Sequence, residues 1–277
     1  MRFLFVYPGA LGDLLLAAPV FKTIQKVYPG AQIGLAGRLP YTKILPLLGL
    51  VDIIYSMEER RFLPLFKGDG LPEDLHQFFA SFDAIIFWIS NFYSDIRFFP
   101  IPVKIVNPRA VVHPAEHHAQ YLYHSVQSFL KLPEQNVSGF YLDNFSAEHL
   151  QPVPLLLVHP GSGSQTKNWP LENFLKLAEK WQIKYHGRAV FLFGPAEESL
   201  LKIFQKETRD QNVRVVHSTD FEKIIKLLQS ADFYLGNDSG ISHLSGLLNK
   251  RGLIFFRTTE PQIWQPLGRR LISVKVE

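Results

Sequence analysis

Apolar and polar positions are grouped along the chain in a pattern that predicts strands alternating with helices. Residues 2–7 (RFLFVY) form a short, mainly apolar run that is typical of a buried strand. A turn at Pro8 and Gly9 follows, and residues 13–27 then carry apolar side chains at helical spacing. A second strand is predicted at residues 32–36. A strand, a helix and a strand in this order predict the first step of a parallel α/β sheet.

The alternation continues through the first half, and it restarts after a polar connection at residues 133–154. In the first half we predict helices at 41–48 and 115–130 and strands at 52–55, 83–89 and 103–106. In the second half we predict strands at 155–158, 188–193, 213–216, 232–235 and 252–256 and helices at 171–186, 196–207, 220–230 and 240–248. We therefore expect two Rossmann-like domains, residues 1–150 and 151–277, whose parallel sheets face a central cleft.

Composition narrows the class of protein. With 277 residues, of which 47% are hydrophobic and 19% charged, the chain is long enough to bury a substantial core. It contains no cysteine, which excludes disulfides, thiolate metal sites and a cysteine nucleophile. The first apolar run is too short for a signal peptide, and no apolar stretch approaches the roughly 20 residues of a membrane span. We expect a cytoplasmic protein without a transmembrane segment.

The net charge of +4 favours anionic partners. The basic residues are scattered, and no motif that reads DNA or RNA is present, so we expect no nucleic-acid partner. The excess charge predicts modest attraction to phosphates or to an acidic membrane surface.

Three polar loops lie between a predicted strand and a predicted helix, where backbone N–H groups and the helix dipole favour anions. The first is PGALGD, residues 8–13. Its spacing differs from the dinucleotide fingerprint G-x-G-x-x-G, which disfavours a nicotinamide oxidoreductase. Asp13 stands at the start of the helix, where its carboxylate serves either as a simple cap or as an acid–base group.

The second loop is HPGSGSQTKNWP, residues 159–170, directly after a buried strand. The residues that could contact a phosphate are Ser162, Gly163, Ser164, Thr166 and Lys167. The loop lacks the G-x-x-x-x-G-K-[ST] spacing of a Walker-type NTPase. It is either a phosphate-binding loop or a solvated turn in front of a helix, with Trp169 packed into the core.

The third loop is LGNDSGISHL, residues 235–244. Asn237, Asp238, Ser239 and Gly240 supply polar groups at a predicted helix start, and His243 lies on its first turn. Asp238 could be only a cap and His243 only a structural histidine. Together, two phosphate-friendly loops in the second half and a carboxylate in the first indicate a diphosphate ligand and an acid–base group.

Four histidines cluster near the predicted helix at 115–130: His113, His117, His118 and His124. Their spacing provides no clear ligand face, so we expect a polar helix surface and no metal site.

The three motifs taken together, G-A-L-G-D at 9–13, H-P-G-S-G-x-x-x-K-x-W-P at 159–170 and G-N-D-S-G-x-x-H at 236–243, resemble the heptosyltransferases of glycosyltransferase family 9. Further similar stretches lie at 18–31, 193–198 and 261–268. The resemblance covers nearly the whole chain.

The resemblance implies a GT-B fold and an inverting, metal-independent transfer from ADP-L-glycero-D-manno-heptose to the inner core of lipopolysaccharide. The expected partners are a nucleotide-sugar donor and an anionic glycolipid acceptor, met at the inner face of the inner membrane, and no cofactor is expected. A non-catalytic nucleotide-sugar-binding protein and a transferase that uses another donor are the alternatives. Because the chain ends at Glu277, soon after P-L-G, we expect the family's final helix to be missing or reduced.

The resemblance also implies roles for individual residues. Asp13 would be the general base, and Lys167 with the backbone at 162–163 would contact the donor diphosphate. Glu197 or Glu198 would lie near the ribose or adenine. The other expected donor-binding residues are Ser164, Thr166, Asn237, Asp238, Ser239, Gly240 and His243, and Gly9 and Gly12 belong to the donor and acceptor loop. For the acceptor we expect Arg60, Arg61 and Lys67, in a loop rich in proline and glycine, with solvated surface charge as the alternative.

Overall fold

The computed structural model describes residues 1–67, 70–90, 95–110, 116–145, 153–208 and 213–277. The chain divides into two compact units, Met1–Pro114 with His118–Asn136 and Ala115–His117 with Val137–Glu277. The domain boundary expected between residues 150 and 151 lies outside the described residues. The longer segment of the second unit starts at Val137, since Val137 and Leu142 are buried and the Leu142 N–H donates to the Leu247 carbonyl at 2.8 Å.

The first unit is a five-stranded parallel sheet with helices between the strands. Its strands are β1 (Arg2–Val6), β2 (Gln32–Gly37), β3 (Ile53–Ser56), β4 (Ala84–Trp88) and β5 (Val103–Val106), in the order β3-β2-β1-β4-β5. Its helices are α1 (Leu11–Leu16), α2 (Ala18–Val27), α3 (Ile44–Leu47), α4 (Glu73–Ala80) and α5 (His118–Gln127), with short 3₁₀ turns at Tyr41–Lys43, Arg60–Phe66 and Ile96–Phe98. The central position of β1 explains its apolar sequence, because it is paired on both edges and covered on both faces.

Three details of the first unit differ from the prediction. The single helix expected at 13–27 is two helices, α1 and α2, because Pro19 has no N–H to continue the α1 hydrogen bonds and fits the first turn of a new helix. Helix α4 was missed, although two acidic residues open it and Leu75 and Phe79 share its buried face. The stretch expected to be a loop around Arg60 contains the 3₁₀ helix Arg60–Phe66.

The second unit is a six-stranded parallel sheet. Its strands are β6 (Leu155–His159), β7 (Arg188–Phe193), β8 (Val213–His217), β9 (Phe233–Asn237), β10 (Gly252–Phe256) and β11 (Leu271–Lys275), in the order β11-β10-β9-β6-β7-β8. Its helices are α6 (Leu171–Tyr185), α7 (Glu198–Glu207), α8 (Phe221–Ser230), α9 (Gly240–Leu247) and α10 (Pro261–Trp264), with 3₁₀ turns at Asp143–Phe145, Gln165–Lys167 and Pro195–Glu197. The predicted strands and helices of this half are confirmed. Strand β11 was missed, because an edge strand has an exposed side and a correspondingly weak apolar signal.

An aspartate immediately before a strand recurs in both sheets. The Asp52 carboxylate accepts from the Ile33 N–H at 2.7 Å, and the Asp232 carboxylate accepts from the Leu155 N–H at 2.7 Å. In both cases the aspartate's own N–H donates back to the carbonyl of the same residue, at 2.9 Å. Asp83 makes the same pair of bonds with Arg2. Each aspartate therefore fixes the register of two parallel strands at their amino ends.

Replacing Asp232 tests this strand register. We expect Asp232→Ala to lower the free energy of unfolding by about 1.5–3 kcal/mol, because the Leu155 N–H loses a charged acceptor. Asp232→Asn keeps an acceptor oxygen and should lose less. Denaturant titration measures the stability, and amide hydrogen exchange at Leu155 reports the local effect. Unchanged protection of that amide in Asp232→Ala would contradict the assignment.

Candidate active site

In the first unit, Asp13 lies where β1 gives way to α1, and its side chain is buried. The two oxygens of its carboxylate differ. Oδ2 accepts from the Ala10 N–H at 3.0 Å and from Arg109 Nη2 at 2.8 Å. Oδ1 accepts no hydrogen bond from the described residues and is not sealed from solvent. The carboxylate is therefore held by one oxygen and presents the other.

Gly9, in the loop before α1, must be a glycine because other side chains approach its Cα closely. A Cβ at Gly9 would lie 2.8 Å from the Asp13 Cβ and 3.2 Å from the Tyr7 ring. Gly12 lies in the first turn of α1 and is half-buried. The reading of Asp13 as a helix cap is partly right, because its carboxylate does accept the N–H of Ala10, the residue at the helix start.

Side chains from distant positions surround Asp13. Burial raises the pKa of the Tyr7 hydroxyl, the Asp13 charge raises it further, and the Arg109 charge opposes the shift. The Tyr7 hydroxyl lies 3.4 Å from Nε2 of His118. His118 was expected on a polar helix surface, and this is wrong, because its side chain is buried against Tyr7. His113 lies outside the described residues.

Sequence analysis missed Arg109, although it follows β5 at the carboxyl edge of the sheet, where polar residues of neighbouring strands converge. That position was the available signal.

The three basic residues expected to meet an acceptor lie together on one segment of the first unit. The Arg61 guanidinium packs on the Phe78 ring at 4.5 Å from its centroid and pairs with Glu59 at 2.8 Å. Arg60 and Lys67 are exposed. Arg61 is thus used within the protein, whereas the other two cations are open to solvent.

In the second unit, the side chain of Asn237 joins the two polar loops. Asn237 is fully buried at the end of β9. Its Nδ2 donates to the Pro160 carbonyl at 2.7 Å, and its Oδ1 accepts from the Trp169 N–H at 3.0 Å. The Trp169 ring stacks on Phe255 at 4.2 Å, which confirms that this residue anchors the loop to the core. Both ends of the Asn237 amide are therefore used to hold the loops together.

The loop after β6 is ordered by its own hydroxyl groups. Ser162 Oγ is buried and lies 2.7 Å from both the Ser164 carbonyl and Asn168 Oδ1. The hydroxyls of Ser164 and Thr166 lie 2.9 Å apart, and both residues are exposed. Gly163 is also exposed, with open space where a Cβ would stand.

The glycine that close packing requires in this loop is Gly161, which the sequence analysis did not single out. A Cβ at Gly161 would lie 2.1 Å from the Glu197 side chain. Glu197 is buried, and its carboxylate accepts from the Gly194 N–H at 2.6 Å. Glu198, the first residue of α7, is exposed. Of the two glutamates, only Glu197 lies against the loop that follows β6.

Three polar side chains of the second unit lie around the Asp238 carboxylate. Its Oδ2 accepts hydrogen bonds from Lys167 Nζ at 2.7 Å and from the Thr259 hydroxyl at 2.6 Å. His243 Nε2 lies 3.7 Å from Oδ1. Burial raises the pKa of Asp238, but the nearby His243 and the hydrogen bonds from Lys167 and Thr259 outweigh burial and bring this pKa well below its usual range. Thr259, which follows β10, was missed by the sequence analysis.

At the start of α9, one residue caps the helix and a different residue forms the ion pair. Ser239 is the residue that caps the helix, because its Oγ accepts from the Ser242 N–H at 3.3 Å. Asp238, which could have been only a cap, is instead the ion-pair partner of Lys167. Gly240 is the first helical residue. His243 is buried, and its Nδ1 has no hydrogen-bond partner among the described residues.

Comparison with known proteins gives the family. A family model described as glycosyltransferase family 9 (heptosyltransferase) matches residues 108–277, more than half of the chain. The chain belongs to glycosyltransferase family 9. The expected family and enzyme class are thereby confirmed.

Similar proteins extend over different shares of this family 9 chain. Lipooligosaccharide heptosyltransferase 2 of Campylobacter jejuni is 24% identical over 299 residues, covering 99% of this chain and 87% of the relative. The protein of the same name from Haemophilus influenzae is 26% identical over 129 residues, covering 44% of this chain and 37% of the relative. The E. coli heptosyltransferase WaaC, solved with ADP, matches with a TM-score of 0.75 at 16% identity, covering 100% of this chain and 94% of that one. This likeness concerns the fold, and it confirms the expected GT-B class.

Neither a metal-binding cluster nor a membrane-spanning helix is found among the described residues of this family 9 chain. Within the described ranges, no group of three or more histidine, aspartate or glutamate side chains is placed to hold a metal ion. No helix in the part of the chain that the structure describes is long and apolar enough to cross a membrane.

The low pKa of Asp238 predicts how stability depends on pH. A carboxyl group whose pKa is lowered by folding adds stability at pH values above its unfolded pKa of about 3.9, and loses it as the pH falls towards the folded pKa. We expect the free energy of unfolding of the wild type to be higher than that of Asp238→Asn. The difference should be constant above about pH 5 and should become smaller below about pH 4. Denaturant titrations across this range measure the difference. A gap that widens on acidification would contradict the assignment.

Proposed function

We propose that the protein transfers a heptose from ADP-L-glycero-D-manno-heptose to a hydroxyl group of the lipopolysaccharide inner core, with inversion at the anomeric carbon. Asp13 acts as the general base, and Lys167 stabilises the leaving diphosphate. The names of the two sequence relatives, both lipooligosaccharide heptosyltransferases, support the sugar and the acceptor class. The ADP in the WaaC structure supports the nucleotide.

The arrangement of Asp13 carries the proposal. A base in a direct displacement must be held firmly and must keep one lone pair available for the proton. Oδ2 is occupied by the Ala10 N–H and the Arg109 guanidinium, which leaves Oδ1 to take the proton. As the acceptor oxygen attacks the anomeric carbon, its proton passes to Oδ1, and the bond from that carbon to the diphosphate oxygen breaks.

Lys167 is suited to the leaving group. Its side chain is about one-third exposed, and its ammonium group is paired with Asp238. The departing ADP gains negative charge in the transition state, so a cation at the diphosphate stabilises the transition state more than the ground state. The exposed hydroxyls of Ser164 and Thr166 and the backbone at 162–163 are the further donors that we assign to the diphosphate. Glu197 and His243 are assigned to the nucleotide side.

The proposal requires no metal or cofactor, since proton transfer and diphosphate stabilisation are assigned to side chains. For the anionic glycolipid acceptor, the exposed cations Arg60 and Lys67 are the available partners. Transfer at the cytoplasmic face of the inner membrane would bring this acceptor to the protein.

Asp13→Asn separates catalysis from binding. The amide has the same shape but cannot accept the proton, so we expect the transfer rate to fall by at least about 100-fold while ADP binding stays nearly unchanged. A transfer assay and calorimetry measure the two quantities. Asp74→Asn, at an exposed carboxylate on α4, is the matched control and should retain full activity. Full activity of the Asp13 variant would remove it as the base.

Lys167→Ala should weaken both ADP binding and transfer, because the cation contacts the diphosphate in the bound complex and in the transition state.

A thermal-shift screen of nucleotide sugars tests the donor: ADP-heptose should stabilise the protein more than UDP- or GDP-sugars. The reverse order would favour a transferase with another donor. Binding of ADP-heptose without transfer to any core acceptor would favour a non-catalytic binding protein.

A further inference from the structure

The second unit contains a cavity of about 500 Å³ between α8 and the strands β7 and β8. We call it the basic groove. Its floor is apolar and includes Leu155, Val190 and Val216 from the sheet and Ile224 and Leu227 from α8. The groove lies at the amino ends of the strands, because Leu155 and Arg188 are the first residues of β6 and β7. The two polar loops follow the carboxyl ends of β6 and β9, at the opposite edge of the same sheet.

The groove is open because α8 covers only part of this sheet. The helix buries Ile224, Ile225 and Leu228, and it packs against β6. Strand β8 is the edge of the sheet, with β7 as its single neighbour. The apolar side chains of β7 and β8 beside α8 therefore form a concave surface that the described residues leave open.

Four cations line the basic groove: Arg188, Arg214, Lys223 and Lys226. All four side chains are exposed. Lys223 lies 3.7 Å from Asp220, and among the described residues the other three have no acidic partner. None of the described residues that line the groove is acidic. This surface is therefore cationic around an apolar floor.

The kind of anion follows from what the groove lacks. A site for a single small phosphate needs converging N–H or hydroxyl donors, but the Ser230 hydroxyl in the groove donates to the Leu227 carbonyl at 2.8 Å. Single-stranded nucleic acid needs aromatic rings on which bases stack, and no aromatic residue lines the groove in the described part of the chain. Separated cations around an apolar surface match a layer of phosphate groups above lipid chains.

We propose that the basic groove docks the second unit onto a bilayer containing anionic phospholipids, with lipid phosphates against the four cations and the glycerol and first methylene groups against the apolar floor. This surface is separate from the residues assigned to sugar transfer. Docking therefore does not depend on the proposed reaction.

Vesicle binding of the full chain tests the groove. We expect binding to vesicles of phosphatidylglycerol and phosphatidylcholine, weaker binding at higher salt, and little binding to phosphatidylcholine alone. Each basic residue near an anionic surface strengthens binding about fivefold, so Arg214→Glu with Lys226→Glu should weaken it by at least about 30-fold. Lys202→Glu with Lys206→Glu, at exposed positions on α7, changes the net charge equally and should weaken binding much less.

Three results would overturn the proposal: no binding of wild type to the anionic vesicles, equal weakening by the two double variants, or tight binding of a single-stranded oligonucleotide that only the groove variant loses. Soluble glycerol phosphate tests whether the groove binds a free headgroup. If the protein binds it as tightly as it binds the anionic vesicles, the result would also count against docking onto a bilayer. Circular dichroism checks that each variant is folded. If the groove variant does not fold, Arg214→Gln with Lys226→Gln removes the charges without reversing them and should still weaken vesicle binding.

Discussion

The buried amide of Asn237 is the interaction on which the candidate donor site depends. It reaches from the end of β9 to both ends of the loop after β6, through the Pro160 carbonyl and the Trp169 N–H. The next residue along the chain is Asp238, which holds Lys167. Because Trp169 is fixed to the core on one side and to Asn237 on the other, the cation two residues before it is confined near Asp238. One uncharged, fully buried side chain thus organises two charged ones.

Charge is handled differently in the two units. Asp238 meets a lysine, a hydroxyl and a histidine, which together outweigh the cost of its burial. Asp13 has both of its bonds on one oxygen and keeps the other open. The first arrangement suits a group that stays ionised and positions a cation. The second suits a group that exchanges a proton, which is the role assigned to Asp13 in the proposed transfer.

The two edges of the second sheet carry different groups of residues. At the amino ends of the strands, Asp232 secures the register and basic side chains surround an apolar groove. At the carboxyl ends, β6, β9 and β10 lead into the loops that carry Lys167, Asp238 and Thr259. Parallel strands make this separation possible, because every strand begins at one edge and ends at the other. The proposed docking surface at one edge would leave the loops at the other edge free.

The sequence by itself determined the parallel α/β class, most of the strands and the three polar loops, because continuous apolar runs and strand-to-helix turns are local signals. It missed α4 and β11, whose apolar faces are short or half-exposed. Only the tertiary structure decided the partners of the site residues: Arg109 for Asp13, Thr259 for Asp238 and Glu197 for Gly161. These pairs join positions far apart in the chain, and the folding of the strands, rather than any local spacing, brings them within contact distance.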